Sequence, residues 1–576
     1  GRVPRRPVED DPARGTARSG VGAARPVAAR PVAARPGAAR PGADRPGADR
    51  AGVIVRRLAG SVVAPSLVYL AVFAVFTWPW VVHPASRFFF TDTGDGYQNV
   101  WNMWWVNHSL TSLHQLPWHT DLLHYPYGTS LLGQTMNPFN GLVAIALLRV
   151  MPLVAAFNTM VVFSFVATGV TAFWLCRSFG ARYAASLVGG FVCTFSAYHL
   201  SKTLGLMQLV SLEWVPLFVL LWWRLLTAPR PRLAVGAALA LLGVLWCDYY
   251  YFLFSVVAGC AIAVHLWRRG EIALDRRTGV VFGLTVGALA APLPLALIVS
   301  NIRDPMQGGH ASRGTDAVSL VLDGGHWRFS SLTRWYWGAI HAGPADATVY
   351  LSVTVAGLLV LALVWRERMG PHIRFWLAFA AVALVLSLGP VLVVHGRSTG
   401  VPMPFAALKA VVPTLDYNIE PARIMVMTAL AAAVVVAAVL SRIRGRVMFT
   451  AVVVALVFEM WPAPPPRAPV ARPTYVAALR RLPRGGVIDD AAPDKSAQLY
   501  DAVVDGQPLA FGYLSRTPGS VAAEDAALEA VIAQRRYDVL CRSYHFRYVT
   551  TRVDQPLPAP AHLLYRDASA RIYGLC

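Results

Sequence analysis

Charge is scarce in this sequence: of 576 residues only 14% are Asp, Glu, Lys or Arg, against 56% hydrophobic. So little polar surface excludes an ordinary soluble protein of this length and points to a polytopic membrane protein. Acid is scarcer than base, with 31 acidic against 52 basic residues and a formal net charge of +21. The arginines nevertheless fall in an N-terminal tail and in short loops between apolar runs, a pattern of membrane topology rather than of a nucleic-acid-binding face. Cysteine is sparse too. Of the six, Cys176, Cys193, Cys247 and Cys260 lie in or at the ends of apolar runs and read as small buried hydrophobes. Cys541 and Cys576 lie in the polar C-terminal part and can pair if that part is exported. The three histidines between positions 300 and 347, His310, His326 and His341, have no compact metal-ligand spacing, so no zinc site is read there.

Residues 1 to 57 are rich in Arg, Ala, Pro and Gly and carry a five-residue repeat, ARPVAARPVAARPGAARPGADRPGADR. They lack apolar residues to bury and any signal-peptide architecture, so a disordered, basic, cytoplasmic tail is expected. Residues 58 to 461 form the membrane part. Its basic loops, such as CRSFGAR (176 to 182), WRRGEIALDRR (267 to 277) and SRIRGR (441 to 446), are expected in the cytoplasm. Their parity predicts about eleven spans, near 62–82, 157–175, 183–199, 207–226, 233–247, 250–267, 279–299, 348–364, 374–394, 423–440 and 446–461. The first outer loop is then 83–156, with an interfacial helix at 141–150, and a long outer loop covers 300–347. After a proline-rich linker, residues 462–576 read as a small exocytoplasmic α/β domain. It has a strand at 486–489, a helix around 527–536, a strand at 547–551 and a hairpin at 563–575.

Asp92 and Asp95 are the only acidic residues between Asp49 and Asp121. They sit in TDTGDGYQNVWNMWWVNH, between the first apolar run and a tryptophan-rich helix whose Trp101 and Trp104 are expected at the lipid headgroups. An Asp-Gly turn accounts for DTGDG structurally. Two carboxylates at a water–membrane boundary also suit a general base acting on an acceptor hydroxyl, or a holder of a divalent cation. On the same predicted face stand His199 and Lys202, Asp248 with Tyr249, and Glu420 with Arg423. Ionisable groups at such helix ends mark function or anchor a span by snorkelling. Glu213 inside the fourth predicted span requires protonation, a partner or a wet cavity. The loop 300–347 carries Arg303, His310, Arg313, His326, Arg328, Arg334 and His341, with Gly308-Gly309 and Gly324-Gly325 as hinges, and reads as a lid or an ordered cap.

The stretches TDTGDGYQNVWNMWW, HYPYGTSLL (124 to 132), RSFGARYAASLVGGFVCTFSAYH (177 to 199), CDYYYFLF (247 to 254) and LYDAVVDGQPLAFGYLSRTP (499 to 518) together resemble the GT-C superfamily of integral-membrane glycosyltransferases, in particular uncharacterised bacterial members. The resemblance implies a mainly α-helical polytopic enzyme that moves a sugar from a polyprenyl-phosphate donor to a lipid or glycan acceptor at the outer face of the plasma membrane, by inverting displacement. It implies Asp95, then Asp92, as catalytic residues. Asp248, Tyr249, His199, Lys202, Arg423, Trp101 and Trp104 are then substrate-binding. The chain departs from many relatives at IEPAR, where Glu420 holds the first of two expected arginine places and Arg423 the second. A transporter or lipid flippase of envelope precursors, and a non-catalytic scaffold, are the readings from other classes. Internal inverted repeats would favour the transporter, and none is evident.

Overall fold

A computed structural model describes residues 56, 58–307, 315–340, 350–411, 420–464, 467–470, 473–558 and 561–576. The basic repeat tail, with His310, Arg313, His341 and Gly308-Gly309 of the long loop, lies outside them. Helices occupy every predicted span position: α1 (Ala59–Phe76), α2 (Thr93–Thr111) in the first loop, α3 (Pro138–Leu147), α4 (Leu153–Ser178), α5 (Tyr183–Thr194), α6 (Ala197–Lys202), α7 (Met207–Val210), α8 (Trp214–Thr227), α9 (Pro231–Cys247), α10 (Tyr249–Arg268), α11 (Arg276–Leu289), α12 (Pro292–Arg303), α13 (Val353–Val364), α14 (Ile373–Ser387), α15 (Met425–Leu440) and α16 (Arg446–Glu459).

The count of about eleven spans is corrected. Among the described residues, five helical stretches are long and apolar enough to cross a membrane: Ala59–Phe76, Leu153–Ser178, Met207–Thr227, Tyr249–Arg268 and Pro421–Leu440. The total is six if α11 and α12, bent by 46° at their break, form one span. Apolar runs mark where helices lie but not where each one stops. α9, α13 and α14 end after 17, 12 and 15 residues, and at 1.5 Å per residue these reach only about 18 to 26 Å, short of a bilayer core of roughly 30 Å. The chain is a multi-pass membrane protein with an extramembranous C-terminal part.

The helices pack closely where small residues allow. A methyl group at Gly190 of α5 would lie 2.1 Å from the Tyr69 hydroxyl of α1, so only glycine fits there. α15 is buried along nearly its whole length, which makes it the central post of the membrane part.

The C-terminal part has a four-stranded sheet made of β1 (Gly486–Asp489), β2 (Phe546–Arg552), β3 (His562–Arg566) and β4 (Ala570–Gly574), in the order β3-β4-β2-β1. β1 and β2 are parallel, the other pairs antiparallel. A parallel pair needs a crossover, and that crossover contains α17 (Lys495–Asp505), α18 (Gly519–Ala533) and α19 (Tyr537–Arg542). Cys541 and Cys576 form a disulfide with 5.6 Å between their Cα atoms. Residues 56–576 form one compact unit, and the crossover is what joins the sheet to the first loop. Tyr500 of α17 stacks on Tyr97 of α2 at 5.3 Å, and the Tyr125 amide donates to the Leu509 carbonyl.

This docking corrects the placement of the tryptophan helix. Trp101 and Trp105 are fully buried, stacked on each other at 5.5 Å, in a cluster with Leu123, Leu131, Leu499 and Leu509. The face expected at the headgroups is covered by α17. Trp104 is partly buried and stacks on His108 at 4.7 Å.

Candidate active site

The first turn of α2 carries the two aspartates. Asp92 is its N-cap, accepting from the Gly94 amide at 3.0 Å, as an Asp with extended backbone does where four amides lack helical partners. That anchors the expected turn and leaves Asp92 exposed. Asp95, one turn along, accepts from the Tyr513 hydroxyl at 3.2 Å. Burial and the like charge of Asp92 hold the Asp95 carboxyl above its ordinary value, opposed by the Tyr513 hydrogen bond and by the positive charge of Arg423.

Tyr513 belongs to the crossover of the C-terminal sheet, and its segment is tied down residue by residue. The Gln98 side-chain amide donates to the Tyr513 carbonyl at 2.9 Å. The Ser515 amide donates to Gln134 at 2.8 Å, and its hydroxyl donates to Gln98 at 3.1 Å. Arg516 donates to the Tyr250 hydroxyl. Thr517 and Pro518 pair antiparallel with Gln307 and Met306 at the start of the long loop. Asp304 accepts from both the amide and the hydroxyl of Ser520. The described arm of the long loop thus clasps the Tyr513 segment, while Asp323 serves a local turn within that loop and Asp316 accepts from the Val318 amide and, across to the 391–402 hairpin, from the Gly396 amide.

The Arg423 guanidinium lies 4.8 Å from the Tyr250 ring centroid, with Arg516 at 5.9 Å. Asp248 stands between α9 and α10. One oxygen caps α10 through the Tyr250 and Tyr251 amides at 2.8 and 3.0 Å, while the other is buried without a hydrogen-bond partner among the described residues. Tyr249 donates to the Leu132 carbonyl at 3.0 Å. Lys202 is buried, 5.0 Å from the Tyr198 ring centroid, and Tyr198 meets Tyr251 hydroxyl to hydroxyl at 2.7 Å. The structure therefore gathers Asp92, Asp95, Asp248, Tyr249 and Arg423 from the sequence-derived set, with Lys202 beside them.

His199 is not brought to this opening. It is fully buried, both ring nitrogens meet carbonyls, of Thr194 at 2.7 Å and Val210 at 2.8 Å, and its ring stacks on Phe165. It braces the turn between α5 and α7. Trp101 is fully buried against α17, and Glu213 is buried at the N-terminus of α8. Among the described residues no group of three or more His, Cys, Asp or Glu side chains is placed to hold a metal ion. Tyr513 and Arg516 escaped the sequence reading, although both lie in a stretch singled out by resemblance. Their one local signal is polar and aromatic residues crowded between Gly512 and Pro518.

No family model matches the sequence, and no curated protein matches it. Solved structures do match. A mutant arabinofuranosyltransferase AftD from mycobacteria aligns with a TM-score of 0.51 and 14% identity, covering 90% of this chain and 41% of that one. The AftD structure without that mutation gives 0.50 and 12%, over 89% and 39%. The oligosaccharyltransferase AglB of Archaeoglobus fulgidus gives 0.43 and 11%, over 85% and 69%. ArnT of Cupriavidus metallidurans bound to undecaprenyl phosphate gives 0.39 and 12%, over 90% and 98%. This chain spans about two-fifths of AftD. At this identity the likeness shows the fold alone: the chain shares the fold of the two AftD structures over the aligned part.

Proposed function

We propose that this protein transfers a sugar from a polyprenyl-phosphate donor to a lipid or glycan acceptor, by one displacement that inverts the anomeric carbon. The single observation that carries this reading is that Asp95, a half-shielded carboxylate with raised proton affinity, feels the positive charge of Arg423, whose guanidinium lies with that of Arg516 at the Tyr250 ring. In the transfer the acceptor oxygen bonds to the anomeric carbon as the bond from that carbon to the phosphate oxygen breaks. The acceptor proton goes to Asp95, and the electron pair leaves on the polyprenyl phosphate. A base is useful when its proton affinity lies near the working pH, and burial beside Asp92 moves Asp95 in that direction. The guanidiniums suit the departing phosphate, which gains charge as the bond breaks. Asp248 and Tyr249 hold the α9–α10 corner that presents Tyr250, and Lys202 adds positive charge nearby. Asp92, with one oxygen on the Gly94 amide, shapes the turn and raises Asp95, and with Asp95 it can share a divalent cation. The test is incubation of the purified protein with a panel of polyprenyl-phosphate sugars, reading release or transfer of the sugar.

The sign of the pH dependence follows from the charges. A general base works only when deprotonated, so activity falls as pH drops through the Asp95 pKa. Asp92 raises that pKa, so Asp92→Asn should move the acid limb of kcat/KM to lower pH. A limb that stays in place, or rises, would detach Asp92 from the titration.

The proposed arrangement in the membrane is a cytoplasmic N-terminal tail and an exocytoplasmic C-terminal part. The Cys541–Cys576 disulfide supports an oxidising compartment for that part. In a background without the native cysteines, an impermeant reagent applied to intact cells should label a cysteine at position 520 and not one at position 20. The reverse pattern would overturn the arrangement.

A further inference from the structure

The Tyr513 hydroxyl occupies a demanding position. It donates to Asp95 and sits so close to the first turn of α2 that a methyl group at Gly94 would lie 3.2 Å from it. Asp95 is held mainly by this partner from outside its own helix. In a transferase, the atom that should lie there in the reacting complex is the acceptor oxygen, because a base must be within hydrogen-bond reach of the proton it removes. A phenol O–H and an alcohol O–H present the same donor to a carboxylate. The segment that delivers Tyr513 is anchored by Gln98, Gln134 and Tyr250 but contains no helix or strand between Phe511 and Arg516. Polar side-chain ties of this kind can exchange for a ligand without dismantling the sheet or α17.

We propose that Tyr513 stands in the place of the acceptor hydroxyl, so that the acceptor is an alcohol. Its turn then guards Asp95 from water until the acceptor displaces it. The inference rests on Asp95 being the base and adds what that base acts on. Without a guard, water enters the acceptor position, its oxygen bonds to the anomeric carbon, its proton goes to Asp95, and the donor is hydrolysed to free sugar and polyprenyl phosphate. Tyr513 is a positioning residue in this account. It also lowers the proton affinity of Asp95, since its hydrogen bond favours the carboxylate.

The experiment uses the full chain with a polyprenyl-phosphate sugar and no acceptor, and measures release of free sugar. Tyr513→Ala should raise hydrolysis about tenfold over the wild type, and added phenol, which refills the space, should bring it back down. Tyr513→Phe keeps the ring and loses the hydroxyl, so its acid limb should move to higher pH. This readout stands even if the alanine variant folds poorly, and a purely structural tyrosine would not produce it. Hydrolysis by Tyr513→Ala no faster than wild type, with both proteins equally stable, overturns the guard. A sugar attached to Tyr513 itself overturns displacement, because the tyrosine would then be the acceptor. Undiminished release by Asp95→Asn instead removes the base reading on which the proposal rests, and so separates the two failures.

Discussion

Replacing Asp95 with asparagine is expected to lower turnover by about 10² to 10⁴, the range lost when a positioned base is removed. Asparagine keeps the size of the side chain and still accepts from the Tyr513 hydroxyl, so the local geometry should survive, but it cannot take a proton. Folding and membrane insertion should be nearly unaffected, because neutralising a carboxyl that burial and Asp92 already disfavour costs little. Asp92→Asn should cost less if Asp92 only caps α2. It should cost about as much if the two carboxylates share a cation, and then a chelator should abolish activity as well. Arg423→Ala and Arg516→Ala should give partial losses carried mainly in the KM for the donor. Full transfer by the Asp92/Asp95 double asparagine variant, at equal amounts of folded protein, would return the first loop to the status of a turn and leave the transporter reading standing.

Trp101→Ala is expected to destabilise the protein by about 3 to 5 kcal/mol, the usual cost of emptying a buried tryptophan site. Trp101 is fully buried between α2 and α17, so its loss loosens the seam that carries Tyr513 to Asp95 as well as the core. Thermal melting of the detergent-solubilised protein measures the first effect, and faster proteolysis of the C-terminal part the second. Trp267, 70% exposed at the end of α10, is the control, where alanine should change stability within about 0.5 kcal/mol. Equal melting of the Trp101 and Trp267 variants would place Trp101 against lipid, as its sequence pattern alone predicts.

That contrast shows how far local pattern reaches. The run TDTGDGYQNVWNMWW announces a capped helix with an aromatic face, since the Asp N-cap and helical spacing are local properties, and α2 starts at Thr93 as they require. Whether the aromatic face meets lipid or protein depends on what docks there. The docking helix, α17, lies some four hundred residues later. The strands at 486–489 and 562–574 were legible for the same local reason, from β-branched and aromatic runs between turn residues.

The sequence by itself determined the membrane-protein class, the positions of the helices, the sparse pair of aspartates and the basic loops, because apolar runs and charge placement are written one residue at a time. Only the tertiary structure decided which polar groups meet. It removed His199 to a bracing role between two carbonyls and set Arg423 against Tyr250. It also brought Tyr513 and Arg516 across 418 and 266 positions of chain to Asp95 and Tyr250. Contacts at such separations are fixed by the packing of whole elements, the crossover onto α2 and the long-loop arm onto Thr517, and no periodicity or spacing within one segment encodes them.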